Sequence, residues 1–273
     1  MMMTLTADSG STKTTWLLSD GNISWTLTTQ GINPFHQQYD VMSRIINHEL
    51  LTHSDFPDKA HIDEIYFYGA GCTKDKSPIL KSILQETFPH AHIEVDSDML
   101  GAARALFGDK PGIACILGTG ANSCLYDGRD IVSNVSPMGY ILGDEGSGAM
   151  MGRTFVNLLY KGGHHDDIRD FEHETGLTQA DIIQKVYREP MPNRFLASLA
   201  PYIKSLSDKP WVKEMITDCF GLFFRHNVRH YNRPDLCCSF VGSIAYYFED
   251  DLREAAKKEG SLIGKIMKEP LNS

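Results

Sequence analysis

The sequence predicts an α/β protein of two domains, and three observations carry that prediction. A strand-turn-strand signature spans Leu5 to Leu18, and a second one spans Ile113 to Tyr126. Strand-forming and helix-forming segments alternate through the first half of the chain. The 273 residues accommodate two domains of ordinary size, and the turn-rich Gly108-Asp109-Lys110-Pro111-Gly112, without an apolar residue, is the best boundary between them. The expected extents are 1–109 and 110–273, the second carrying a helical insertion.

The first signature alternates apolar and polar residues to Asp8, turns through Ser9-Gly10-Ser11-Thr12, and continues from Lys13 in strand formers. Gly10 is free to take a positive φ there. Ile23 to Thr29 is a third strand, and Gly31-Ile32-Asn33-Pro34 a loop. Val41, Ile45, Ile46 and Leu50 stand near helical spacing and predict a helix from Gln38 to Leu51. Ile62 to Tyr68 is a strand running into Gly69-Ala70-Gly71. Ser77-Pro78 opens a helix to about Phe88, with Pro at its first position. Ile93 to Val95 is a short strand, and a helix covers Ser97 to Phe107.

In the second half, strands are expected near 113–117, 122–127 and 130–135. Gly143-Asp144-Glu145-Gly146-Ser147-Gly148 leads into a helix that Asp144 begins. Lys161 to Asp170 reads as a solvated loop; its adjacent His164 and His165 share no helix face and lack metal-ligand spacing. Residues 178–230 read as helical, interrupted by Pro190, Pro192, Pro201 and Pro210. Leu236 to Val241 is the last core strand, Gly242-Ser243 a turn, and Ile244 to Lys258 a helix; Ser261 to Met267 closes as a strand.

Composition excludes several classes. A net charge of −9 argues against a nucleic-acid or anionic-membrane surface. No run approaches the ~20 apolar residues of a membrane span. The first residues lack the basic segment and apolar core of a secretory leader, and six cysteines show no CxxC pair, so a reduced cytoplasm is the expected address.

The hairpin turns carry the chemistry. Backbone N–H groups and hydroxyls around Ser9, Ser11 and Thr12 could cradle phosphate oxygens, with Lys13 adding charge. Asp8 would repel a phosphate unless a cation lay between them, which suits hydrated Mg²⁺; an ordinary Asp/Ser/Gly hairpin has equal standing on this stretch alone. Laying Asp8, Ser9 and Gly10 over Gly118, Thr119 and Gly120 gives a second copy, and two such hairpins would clamp a polyphosphate. With Asp96 as N-cap, Asp98 falls in a first helical turn, where the dipole favours the ionised form. That suits a general base for a hydroxyl, and equally an acidic residue that only steadies a helix. Asn33 offers a donor and acceptors to a polar ligand, or simply forms a turn before Pro34. Glu145 would order its loop or assist the metal, and equally would only steady the helix start.

Asp-Ser-Gly-Ser-Thr-Lys-Thr at 8–14, Gly-Thr-Gly-Ala-Asn-Ser at 118–123 and Gly-Asp-Glu-Gly-Ser-Gly at 143–148, in this order, resemble the BadF/BadG/BcrA/BcrD-type ATPase family. Within it they look like the N-acetylglucosamine kinase-like members, in the sugar kinase, Hsp70 and actin superfamily. The resemblance extends from Asp8 to about Gly242. It implies two actin-like (ribonuclease H-like) domains with a nucleotide cleft between them. It further implies ATP with Mg²⁺, and phosphorylation of an amino sugar, foremost N-acetylglucosamine, at its 6-hydroxyl.

By the same resemblance Asp98 is the catalytic base, because an Asp followed after two residues by Gly stands at this place in the family, and Asp96 does not match. Ser9, Gly10, Ser11, Thr12, Lys13, Thr119, Gly120 and Gly242 would contact the nucleotide, and Asp8 the metal. Asn33, Asp98, Ala121, Asn122, Met138, Gly139, Tyr140 and Asp144 would face the sugar, Asp144 accepting from two hydroxyls. The 137–140 segment departs from the glycine- and tryptophan-rich loop of animal members, which bears on the fine sugar specificity. The expected partner is a small-molecule amino sugar, with no nucleic acid and no membrane, and a homodimer is left open. Three alternatives stand beside this: a kinase for glucosamine or a muramic-type sugar, an ATPase that activates a radical dehydratase, and a non-enzymatic nucleotide-binding sensor. The second needs exposed thiolates for an iron–sulfur cluster, whereas Cys115 and Cys124 fall within strands. The third would need a DNA-binding module, for which no room exists before Leu5.

Overall fold

The computed structural model describes residues 2–10 and 12–271. Among them the chain forms two compact units. One runs to Ala105 and takes back Pro270 and Leu271; the other is Leu106–Glu269.

The first unit has a five-stranded sheet in the order β3-β2-β1-β4-β5. Its strands are β1 (Thr4–Ser9), β2 (Lys13–Ser19), β3 (Ser24–Gln30), β4 (Glu64–Gly69) and β5 (His92–Ser97). β1, β2 and β3 pair antiparallel as a meander, while β4 and β5 join parallel to β1 and need helical crossovers. Those are α1 (Tyr39–Ile45) and α2 (Ser77–Thr87), and α3 (Asp98–Phe107) leads out of β5. Alternation in β1 puts Leu5, Ala7 and Ser9 into the core and leaves Thr4, Thr6 and Asp8 partly accessible. Trp16 and Phe67 meet edge to face at 5.6 Å in that core.

The second unit repeats this plan in the order β10-β9-β6-β7-β8. Its strands are β6 (Gly112–Leu117), β7 (Ala121–Tyr126), β8 (Ile131–Val135), β9 (Cys237–Val241) and β10 (Leu262–Met267). β6, β7 and β8 are antiparallel, and β9 and β10 are parallel to β6. The two hairpins close at Ser9↔Thr14 and at Leu117↔Ala121. The short α4 (Gly139–Leu142) and α5 (Gly148–Lys161) follow β8. The helix Pro210–His226 sends Phe220, Phe223 and Phe224 into the core, where the last two pack on Phe240 of β9. Each such ring contributes roughly 1.5–3 kcal/mol on burial.

Several local expectations change. The helix from Gln38 ends its α form at Ile45 and finishes as a π-turn, Ile46–Leu50. Residues 165–175 form a helix, not a loop, because Phe171 enters the core and Asp167 accepts from Lys209 and Trp211. Pro192, Pro201 and Pro210 open helices where the sequence suggested breaks, since a first-turn Pro forfeits no helical hydrogen bond. The helix expected over 244–258 divides at Phe248, which is buried against Phe220. Gly108 and Gly112 belong inside the second unit, tied by the Tyr126 hydroxyl donating to the Gly108 carbonyl at 2.9 Å. α3 carries the chain across the division, ending in Leu106 and Phe107.

Candidate active site

In the first unit, the candidate residues collect where the parallel strands end, the place at which open α/β sheets bind ligands. Asp8 is the penultimate residue of β1 and lies beside Thr15 and Tyr68 in the sheet. It lines a cavity with Tyr68, Gly101, Arg104, Ala105 and the returning Pro270 and Leu271. Arg104 donates to the Tyr68 hydroxyl at 2.9 Å, fixing one wall. No group of three or more His, Cys, Asp or Glu that could hold a metal occurs among the described residues. Mg²⁺ keeps most of its waters and asks for few protein carboxylates, so Asp8 could hold it through water.

The hairpin turn is tighter than its sequence implies. The Gly10 N–H donates to the Lys13 carbonyl at 3.0 Å, and Gly10 is absent from the residues with positive φ, against expectation. Ser9 is fully buried. Its hydroxyl donates to the Ile32 carbonyl at 2.9 Å, accepts from the Ile32 N–H at 2.9 Å and shares a 2.6 Å bond with Thr14. The reading of that hydroxyl as a phosphate ligand is therefore corrected: it anchors the loop that carries Asn33. Thr12 and Lys13 are exposed at the turn. Ser11 lies outside the described residues.

Asn33 is buried, and its side-chain oxygen accepts from the Phe35 N–H at 3.0 Å. Gly71, with φ +77, rests directly on that amide, where a Cβ would meet the oxygen at 2.1 Å. Next along, Cys72 is buried, and its thiol is pushed up to about 12 by burial together with the charges of Asp98 and Asp96. Gly71 thus holds its segment directly against Asn33. Asp98 is the first residue of α3, and Ser97 caps the helix in place of Asp96, its hydroxyl accepting from the Leu100 N–H at 3.2 Å. Burial pushes the Asp98 carboxyl above its ordinary value, opposed by the Met99 amide donating to it at 2.8 Å. Burial thus works against the ionised form that the helix start was expected to favour. Gly101 is explained by packing: a Cβ would meet Tyr68 at 2.6 Å.

In the second unit the turn Gly118-Thr119-Gly120 is bound to the start of α5. The Gly148 and Ala149 N–H groups donate to the carbonyls of Gly118 and Thr119 at 2.9 and 3.1 Å. Ser147 caps α5 by accepting from Met150 at 3.1 Å, so Asp144 lies in the preceding loop and does not begin the helix. It adopts φ 55, a left-handed conformation that Asp tolerates. Its carboxylate lies against Gly120, 3.0 Å from where a Cβ would stand. Burial pushes its pKa up to about 6, opposed by the Ala121 amide and helped by the charge of Glu145. Gly120, Ala121 and Asp144 are thereby brought together.

Asn122 follows on β7, its side-chain oxygen held by Ser123 and by Asn134 of β8. Met138 and Gly139 have positive φ, and the loop 137–144 is pinched by the Asp144 N–H donating to the Pro137 carbonyl at 2.9 Å. Met138 is exposed and Tyr140 half-buried, and Arg153 of α5 donates to the Tyr140 carbonyl at 3.3 Å. Glu145 pairs with His226 at 3.1 Å. Burial opposes its ionisation, but hydrogen bonds from its own amide, His226 and Asn227 hold its carboxyl below the ordinary value. That favours ordering of the loop. Gly242, with φ +125, sits on the end of β6, where a Cβ would meet the Leu117 carbonyl at 2.2 Å. Cys115 and Cys124 are fully buried in their strands, and Cys237 is the one exposed cysteine among the described residues. Sequence reasoning missed Gly71, Cys72 and Asn134; the Gly-Ala-Gly after β4 was the only signal for the first two.

No family model matches the chain, and no curated protein does. Among solved structures, a Porphyromonas gingivalis protein provisionally named N-acetylglucosamine kinase is similar, at 46% identity and a TM-score of 0.92 over 99% of this chain and 96% of its own. A Chromobacterium violaceum protein with the same provisional name has 18% identity and a TM-score of 0.78, covering 99% and 96% of the two chains. A ROK family glucokinase from Streptomyces griseus, in complex with glucose and AMPPNP, has 12% identity and a TM-score of 0.58, over 98% and 95%. At such identities the last two carry the fold alone.

Proposed function

We propose, since the chain belongs to the N-acetylglucosamine kinase-like branch of the BadF/BadG/BcrA/BcrD-type ATPase family, that it transfers the γ-phosphoryl group of ATP to the 6-hydroxyl of N-acetylglucosamine. The observation that carries the chemistry is Asp98, at the end of β5 and the start of α3, with burial raising its proton affinity. Such a carboxyl can accept the hydroxyl proton as the sugar oxygen attacks phosphorus. Asn33 is assigned to orient the sugar, and Asp144, beside Gly120 and Ala121, to accept from its hydroxyls. The exposed turns at Thr12-Lys13 and Thr119-Gly120 face the phosphates, and Gly242 lies toward the base or ribose. Asp8 would hold Mg²⁺ through water. When bound, that ion neutralises charge on the phosphates, and positioning with electrostatics supplies most of the rate.

The test is ADP release measured across N-acetylglucosamine, N-acetylmannosamine, glucosamine and muramic acid, with the product located by NMR. N-acetylglucosamine should give the highest kcat/KM and a 6-phosphate. ATP turnover indifferent to every sugar would sink the reading.

A further inference from the structure

Asn122 is held by bonds whose polarity leaves its amide a single orientation. The Ser123 backbone N–H can only donate, and it donates to the Asn122 side-chain oxygen at 2.9 Å. The atom on that side is therefore the oxygen. The Asn134 amide nitrogen donates to the same oxygen at 2.9 Å and also to the Ser123 carbonyl, which can only accept, so Asn134 is oriented just as firmly. Asn134 stands opposite Cys124 in the β7–β8 ladder, a diagonal neighbour of Asn122 on one sheet face. Asn122 itself is half-buried, and its Nδ2 has no partner among the described residues. With both lone-pair directions of the oxygen used, the group left for a ligand is a pure donor.

We propose that Asn134 is a positioning residue that locks Asn122 as a hydrogen-bond donor toward the sugar, so that the sugar atom there is an acceptor oxygen and a protonated amine is refused. This rests on the reading above that Asn122 faces the sugar. A turned amide would show its oxygen instead and welcome an ammonium group. Asn134 thus contributes discrimination without touching the substrate.

The test is a double-mutant cycle on the full chain, with kcat and KM measured for N-acetylglucosamine, glucosamine and ATP. Asn134→Ala should raise KM for N-acetylglucosamine roughly three- to tenfold, the weight of one hydrogen bond, with kcat and the KM for ATP within about twofold. In an Asn122→Ala background the same change should have no further effect. Asn134→Asp, which places an acceptor against the Asn122 oxygen, should lower the preference for N-acetylglucosamine over glucosamine. A merely structural Asn134 would instead lower the melting temperature and act additively with Asn122→Ala, and that result overturns the proposal. If the wild-type chain phosphorylates sugars and Asn134 variants match it, this proposal alone fails. A wild-type chain inert toward all of them removes the kinase reading, and this one with it.

Discussion

A carboxyl that takes a proton from a sugar hydroxyl works best when its proton affinity approaches the working pH, and burial moves Asp98 in that direction. Asp98→Asn should leave ATP and sugar affinities within a few-fold and cut kcat by roughly 10²–10⁴. Retention of more than a tenth of wild-type turnover would remove Asp98 from the role. Asp144 makes a different, pH-linked forecast. Its folded pKa of about 6 stands above the ordinary 3.8, so the folded state binds the proton more tightly than the unfolded chain. The stability linked to that proton is full below 3.8 and is lost as pH rises through about 6. Sugar affinity should run the opposite way, rising through the same window as the carboxylate forms. Asp144→Asn should flatten both profiles, raise the melting temperature at pH 7 and weaken sugar binding; a variant less stable at pH 7 would contradict the assignment. Asp98, Asn33 and Asp144 could be singled out as candidates because polar residues stood in recognisable motifs. The inward hydroxyl of Ser9 and the Asn134 support could not, since each depends on which strand faces which.

Helix α3 places Asp98, and Gly101 sets how closely that helix approaches β4. Gly→Ala inside a helix ordinarily stabilises by about 0.5–1 kcal/mol. Here the new methyl would stand 2.6 Å from Tyr68, at the stiff base of its ring, and overpacking costs about 1–3 kcal/mol. The clash wins. Gly101→Ala should lower the melting temperature and reduce kcat by displacing Asp98, and a more stable variant with unchanged kcat would contradict this packing. The elements themselves were largely legible: all ten strands lie within a residue or two of their expected positions. Misreadings arose where one residue type serves two purposes. Proline ends helices and also begins them, and acidic runs mark loops and also first turns, as Asp166 and Asp167 do in the helix His165–Thr175.

The two units share one strand plan, and their hairpins already announced the repeat. Invisible in sequence was the return of Pro270 and Leu271 to the first unit, a dipeptide too short to carry periodicity. These residues wall the cavity beside Asp8. Ending the chain after Glu269 should therefore weaken ATP binding, read as a smaller rise in melting temperature at saturating nucleotide, because a ligand stabilises only by its affinity for the folded form. An undiminished shift would show that the wall is dispensable. The same return has a consequence for biogenesis. On a ribosome adding some 5–20 residues per second, the first unit emerges early yet stays unfinished until Pro270 and Leu271 leave the exit tunnel. The cavity beside Asp8 is completed only after Leu106–Glu269 has been synthesised, so a product truncated before Pro270 would carry every motif residue and still lack one wall of that cavity.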